Sequence, residues 1–334
     1  QSTPDHLRHP PAGNRIGRYL GWFAAGFALT LVVMVAALTA TRARITDCDG
    51  RFHDQDHFLA WCGSPAFQDY EHGAFAMRLE PEAVAHARAA DVLVLGSSLA
   101  QNGFSSQATR DHFAGRGLRH FLLAFGHAET SVFPQELIRQ LDLRPRLVIV
   151  NAADFFADQM SGVGAGVVYP SAVGIIEYRA KQLLQPIHAW ACTAYPGLAC
   201  GDAPTIYRSR RDGHWAMHNF PDRHVPVTLS GGIADPAVVT RQSALAVKLR
   251  AFLQARGACL VLSATPSEDG RHAAEARAIG AATGIPAIVP ALDGLTSYDG
   301  AHLDGRSAEI FSAAVLAGLS EAEARCAAPA ERNR

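Results

Sequence analysis

Beyond residue 81 the chain alternates two kinds of segment, and that alternation restricts its fold more than any other property. Asp91 to Leu95 leads a continuous apolar run, the pattern of a strand covered on both faces. Arg119 to Phe125, Leu147 to Val150, Ala258 to Ser263 and Pro286 to Val289 read as further strands. Helical runs separate them: Pro81 to Ala90, whose proline suits a first turn, then Ser105 to Ala114 and Val132 to Leu141. Pro236 to Ala255, Glu268 to Ala282 and Gly305 to Leu319 follow. Strands joined through helices imply an α/β fold with a parallel sheet and helices on both faces.

Ahead of this region, Tyr19 to Thr41 contains no charged residue. A helix of that length spans roughly 30 Å of hydrocarbon. A core helix of a soluble protein is usually shorter and keeps a polar face. A cleaved signal peptide is the other alternative, since small residues from Ala37 to Ala40 offer a cutting site, but its apolar core would be unusually long. The reading is an uncleaved membrane anchor over 19–41, with 1–18 as a short cytoplasmic tail. Arg8, Arg15 and Arg18 precede the span while Arg42, Arg44 and Arg51 follow it, so flanking charge barely orients it.

Cysteine spacing supplies the orientation. Cys48 and Cys62 flank one short irregular segment, and Cys192 and Cys200 another, which suits two local disulfides in an oxidising compartment. Zinc is the alternative, but thirteen and seven intervening residues match no common ligand pattern. Cys259 falls in an apolar strand and reads as merely buried, and Cys326 lies in a tail over 323–334. The domain that follows the span is therefore expected outside the cytoplasmic membrane.

With 334 residues, the length fits two domains or one α/β domain with an insertion. A formal net charge of −1 and the lack of a basic stripe exclude a nucleic-acid partner. No motif calls for a metal or a nucleotide cofactor. Residues 42–80 read as a juxtamembrane segment packed onto the main domain at 81–322. Residues 155–235 read as an insertion, with an amphipathic run from Ala172 to Leu184. A passage rich in aromatics and histidines follows, including Trp190, Tyr195, Tyr207, His214, Trp215, His218, Phe220 and His224. An insertion of this size above a sheet either shapes a substrate site or acts as a packed lid.

The strand at 91–95 breaks into Gly96-Ser97-Ser98, at the sheet's carboxyl edge, where open parallel sheets bind ligands. A serine there lies beside the free N–H groups of the next helix, which can hold an oxyanion. Such a turn also uses Gly and Ser for conformation and capping alone. Some 200 residues later, Asp299-Gly-Ala-His302 puts a carboxylate three residues before an imidazole, ahead of a helix. Asp299 can then orient His302 while the other ring nitrogen faces a serine, the three parts of serine-ester acyl transfer.

Together these residues resemble the SGNH (GDSL-type) hydrolase superfamily. Val-Leu-Gly96-Ser97-Ser98 is similar to its first block, with Gly-Asp-Ser replaced by Gly-Ser-Ser, which maps the nucleophile to Ser98. Phe125-Gly126-His127 resembles the second block, whose glycine N–H serves the oxyanion hole. Asn151-Ala-Ala-Asp154 stands where the Gly-x-Asn-Asp block belongs, and Asp299-Gly-Ala-His302-Leu is similar to the fifth. Strict alignment puts the oxyanion asparagine on Ala153, so Asn151 can serve only if the strand ends differently.

The resemblance covers roughly residues 90–320 and implies a three-layer α/β/α flavodoxin-like domain. Its implied site is Ser98, Asp299 and His302, with Ser98, Gly126 and Asn151 at the oxyanion. An anchored Gly-Ser-Ser form also resembles membrane-tethered proteins of bacterial envelopes that take part in O-acylation. That implies an esterase or O-acyltransferase acting on an envelope glycan beside a membrane-bound acyltransferase, or a weakened glycan-binding or scaffold component.

Overall fold

The computed structural model describes residues 13–41, 46–64, 67–221 and 223–327. The chain begins with α1 (Gly13–Thr41), β1 (His57–Cys62), α2 (Glu71–Ala76), α3 (Pro81–Ala89), β2 (Val92–Gly96), α4 (Ser98–Phe104) and α5 (Gln107–Gly115). It continues with β3 (His120–Ala124), α6 (Val132–Gln140), β4 (Leu147–Asn151), α7 (Gly162–Val168), α8 (Ala172–Ala194) and α9 (Pro196–Ala199). Then come β5 (Thr205–Ser209), β6 (Trp215–His218), β7 (Val225–Val227), α10 (Pro236–Gln254), β8 (Cys259–Ser263) and α11 (Arg271–Thr283). The last elements are β9 (Ala287–Ile288), β10 (Leu295–Ser297), α12 (Gly305–Ala317) and α13 (Leu319–Ala327).

Five parallel strands form the main sheet in the order β3-β2-β4-β8-β9. Counted among themselves these strands run 2-1-3-4-5, a doubly wound order that reverses between β2 and β4. Every residue of β2 is buried, and alternate side chains feed opposite faces. Leu93 and Leu95 join one apolar cluster with Leu137 of α6, Leu249 of α10 and Ile279 of α11. Val92 and Val94 join the other with Phe104 of α4, Phe113 of α5 and Phe311 of α12. Each fully buried side chain of this size contributes about 1.5–3 kcal/mol, which explains why β2 carries no polar residue before its end.

The helix expected over Ser105 to Ala114 is α5, and a separate short helix, α4, precedes it. Ser106 caps α5, its Oγ accepting from the Thr109 N–H at 3.0 Å, and α4 stands apart from it. A second sheet is antiparallel, β1-β5-β6, and joins residues 42–80 to the insertion, with Trp61 opposite Ile206. The segment before residue 81 therefore meets the rest of the chain as a strand partnered by residues 205–209. A short antiparallel pair, β7 with β10, ties the end of the insertion to the loop that carries Asp299.

Cys48–Cys62 and Cys192–Cys200 are paired, with Cα separations of 5.9 and 5.3 Å. Cys259 and Cys326 form a third pair, 5.8 Å apart at Cα, which corrects both expectations for them. The expected tail at 323–334 begins inside α13, where Glu323 also meets Arg116 at 2.6 Å; residues 328–334 lie outside the described residues. No cysteine is free among the described residues.

The N-terminal helix starts at Gly13, so 13–18 of the expected tail are helical, and 1–12 lie outside the described residues. Its large side chains are exposed, Trp22 by 80% and Phe27 by 67%, which rules out a core helix. Ile16–Met34 has a mean hydropathy of 1.5, enough to cross a membrane or to act as a signal sequence. Three cysteine pairs fit an oxidising compartment.

Candidate active site

The sheet delivers Ser98 to its carboxyl edge beside the β2/β4 reversal. A side chain at Gly96 would collide with Ala100 and Asn151, so the turn from β2 into α4 needs glycine there. Ser97 is the helix cap, its Oγ accepting from the Leu99 N–H at 3.3 Å. That leaves Ser98 as the serine facing the cavity, and its N–H, the first of α4, has no intrahelical acceptor.

His302 reaches Ser98 from the loop between β10 and α12. That loop is closed on itself: Tyr298 N–H donates to the His302 carbonyl at 2.8 Å, and Gly300 N–H to Ser297 Oγ at 2.7 Å. Asp299 Oδ1 accepts from the backbone N–H groups of Ala301 and His302 at 3.0 and 2.9 Å. Its Oδ2 lies 2.7 Å from His302 Nδ1, and His302 Nε2 lies 2.8 Å from Ser98 Oγ. With Nδ1–H held by the carboxylate, Nε2 is the acceptor for the serine hydroxyl. Burial acts to raise the Asp299 pKa, but hydrogen bonds from the His302 N–H and ring, the His302 charge and the Ala301 N–H outweigh it and hold Asp299 below its ordinary value.

The oxyanion side differs from expectation. Gly126 N–H already donates to Glu71 Oε1 at 2.9 Å. Glu71 Oε2 in turn accepts from Arg208 at 2.8 Å and from the Trp215 indole at 3.0 Å. Arg208 is fully buried between the rings of Phe75 and Phe125, and it also donates to the Leu122 carbonyl. Asn151 is not an oxyanion donor: its Nδ2 donates to Thr265 Oγ1 at 3.1 Å and its Oδ1 accepts from the Thr265 N–H at 3.1 Å. It is buried beneath Gly96, bracing β4 against the chain after β8. Asp154 points elsewhere too, 3.5 Å from both His272 and Arg271.

Ser98, His302 and Asp299 line one wall of a cavity of about 260 Å³. Trp61, Trp215, Met217 and Phe220 line the other, so both sheets contribute. Of the insertion's aromatics and histidines, only Trp215 and Phe220 reach this cavity. Tyr207 donates to the Asp49 carbonyl at 2.6 Å, His214 meets His120 at 2.8 Å, and His218 stacks on Phe52. His224 lies 3.7 Å from Asp304, while Trp190 and Tyr195 are exposed. A larger cleft, about 1300 Å³, opens at the amino ends of the strands near Asp91, Arg146 and Gly257, the end where parallel sheets do not place ligands.

Glu71, Trp61 and Asn102 of the cavity were not foreseen from sequence. Asn102 stands four residues after Ser98 and donates to its carbonyl at 2.9 Å, so helical spacing alone would have found it. Glu71 gives no such signal, since it lies in a segment without periodicity.

No protein-family model, curated protein or solved structure matches the chain. The functional reading therefore rests on the geometry of this site.

Proposed function

We propose that the chain is an extracytoplasmic serine esterase or O-acyltransferase of SGNH type, a three-layer α/β/α flavodoxin-like domain held at the cytoplasmic membrane by α1. The observation that carries this reading is the continuous hydrogen-bonded chain from Ser98 through His302 to Asp299. Ser98 Oγ attacks the ester carbonyl while His302 Nε2 takes its proton, and Asp299 stabilises the resulting imidazolium. The Ser98 N–H faces the tetrahedral oxyanion. The leaving alcohol takes the proton back from His302, leaving an acyl-Ser98 ester. Water or a second hydroxyl then attacks the acyl carbon while giving its proton to His302, and the departing Ser98 Oγ takes that proton back. The Trp61, Trp215 and Phe220 wall suits the apolar face of a sugar ring, which favours an envelope glycan as donor or acceptor. A membrane-bound acyltransferase is the partner this reading implies.

A second reading, a weakened module that binds glycan or scaffolds an O-acylation complex, is favoured by one feature. Glu71 occupies the Gly126 N–H and Asn151 faces away, so a single backbone donor is left for the oxyanion. One such donor is worth about 10²–10³ in rate. Labelling of the full chain with a fluorophosphonate probe separates the readings. Wild type should label at neutral pH and Ser98→Ala should not; an unlabelled wild type would remove the enzyme reading and leave the scaffold.

A further inference from the structure

Helix α8 is amphipathic with its polar face turned inward. Tyr178 donates to Asp69 Oδ2 at 2.8 Å, and Lys181 Nζ to the Asp69 carbonyl at 2.9 Å. The Gln185 amide clasps both the N–H and the carbonyl of Leu59, each at 3.0 Å. A polar inward face is needed there because β1 is an edge strand, and Gln185 satisfies backbone groups its sheet leaves open.

The outward face has no such explanation within the chain. Val173, Ile176, Leu183, Ile187 and Trp190 are each between 60% and 74% exposed along one side of a 23-residue helix, and Tyr195, the residue that ends it, is 57% exposed. An apolar face that long is rare on a soluble surface and marks contact with a partner or a membrane.

The chain's own tether identifies the occupant. Thr46 Oγ1 lies 2.8 Å from His188 Nε2 on the buried side of α8. The apolar helix α1 ends at Thr41, and five residue steps span at most about 18 Å. Once α1 crosses a membrane, Thr46 cannot be farther than that from the end of α1, and it contacts His188 directly. Trp190 and Tyr195, at the end of the stripe nearest the tether, are residues favoured at the headgroup level.

We propose that α8 lies in the plane of the membrane interface, its apolar face buried in the outer surface of the bilayer that α1 anchors. The proposal rests on the membrane-anchor part of the reading above but not on the enzyme part. Trp61 of the cavity is two residues along β1 from Leu59, roughly 7 Å. Docking α8 therefore holds the cavity next to the bilayer instead of letting it swing on a tether.

The test uses the full chain reconstituted in phosphatidylcholine–phosphatidylglycerol vesicles, with a protease site replacing residues 42–45. Carbonate extraction before cleavage reports on α1 alone, so a failed anchor is seen separately. After cleavage, the released wild-type domain should stay with the vesicles. Leu183→Glu/Ile187→Glu/Trp190→Glu should lower its partitioning at least about tenfold. These side chains are exposed, so far-ultraviolet circular dichroism and the melting temperature should show an unchanged fold. A wild-type domain that leaves the vesicles on cleavage would overturn the proposal, whether or not the variant folds. So would a domain that leaves as a dimer which the variant dissociates, because the stripe would then serve a second copy.

Discussion

One wall of the cavity, Ser98 with His302 and Asp299, hangs from the parallel sheet and the loop entering α12, where each residue follows a strand by no more than a few positions. The facing wall, Glu71 with Trp61, Trp215 and Phe220, is assembled by pairing β1 with β5, which in turn pairs with β6; β1 and β5 lie about 150 residues apart in the chain. The first wall holds a hydrogen-bonded chain with a partner at every step. The second puts a carboxylate on the backbone N–H where an oxyanion would be held, and neutralises it with a buried arginine. On the proposed reading the sheet supplies the nucleophile, while the added layer decides how far that nucleophile can be used.

Asp299→Asn probes the first wall and should have the largest effect. An amide cannot stabilise the imidazolium and favours the wrong ring tautomer, so kcat should fall by up to about 10⁴. Asp299 is half-exposed, so the melting temperature should hardly move. Steady-state hydrolysis of an activated acyl ester gives the rate and thermal unfolding the stability, each against wild type. A loss below about tenfold would mean that the first wall is not organised for catalysis.

The second wall is tested by removing its ion pair. Glu71→Leu alone strands the fully buried Arg208 and should cost about 3–5 kcal/mol in denaturant unfolding. Glu71→Leu/Arg208→Met replaces the pair with apolar groups and should recover most of that stability. It also releases the Gly126 N–H, so kcat should rise, by no more than the roughly 10²–10³ that one oxyanion donor is worth. An unchanged rate in a stable double variant would mean that Gly126 is not a donor and that the walls are less opposed than their geometry implies.

The same contrast governs what could be read from the residues alone. The strands of the parallel sheet are legible because burial on both faces demands unbroken apolar runs, as at Leu93 to Leu95. Ser98 and His302 are legible because each sits beside an element boundary. Pairing β1 with β5 leaves no local trace: His57–Cys62 does not alternate, and its partner depends on closing a loop of more than 140 residues. Cys259 and Cys326, 67 apart, are hidden for the same reason. Asn151 misleads because a polar residue at a strand end looks available, yet its amide is satisfied by Thr265. In α8 the periodicity gives two faces correctly but cannot tell which one turns inward.

Behind the second wall, His72 is fully buried between Asp69 Oδ1, at 3.0 Å, and Glu129 Oε2, at 3.4 Å. Burial alone would lower its pKa, but the hydrogen bond from Nδ1 to Asp69, the close approach of Glu129 and the charges of Asp69 and Glu71 outweigh it and push the pKa up to about 9. At the amino end of β3 the balance is reversed. Burial pushes His120 down to about 4 and His214 down to about 3, against the opposing charge of Asp212. A histidine raised above its unfolded value near 6.5 stabilises fully below that pH, and the gain is lost as pH rises through its folded pKa. A histidine lowered in the fold does the opposite, costing stability as pH falls below 6.5. The full chain should therefore be most stable near pH 6.5. It should lose up to about 3 kcal/mol toward pH 9 through His72, and lose stability separately toward pH 4 through His120 and His214. Urea unfolding across this range is the measurement, with His72→Gln as the control: it should flatten the alkaline limb and leave the acid limb in place. If His72→Gln keeps the alkaline slope, the carboxylates behind Glu71 do not hold a charged imidazole, and the second wall lacks the buried cation that balances its acids.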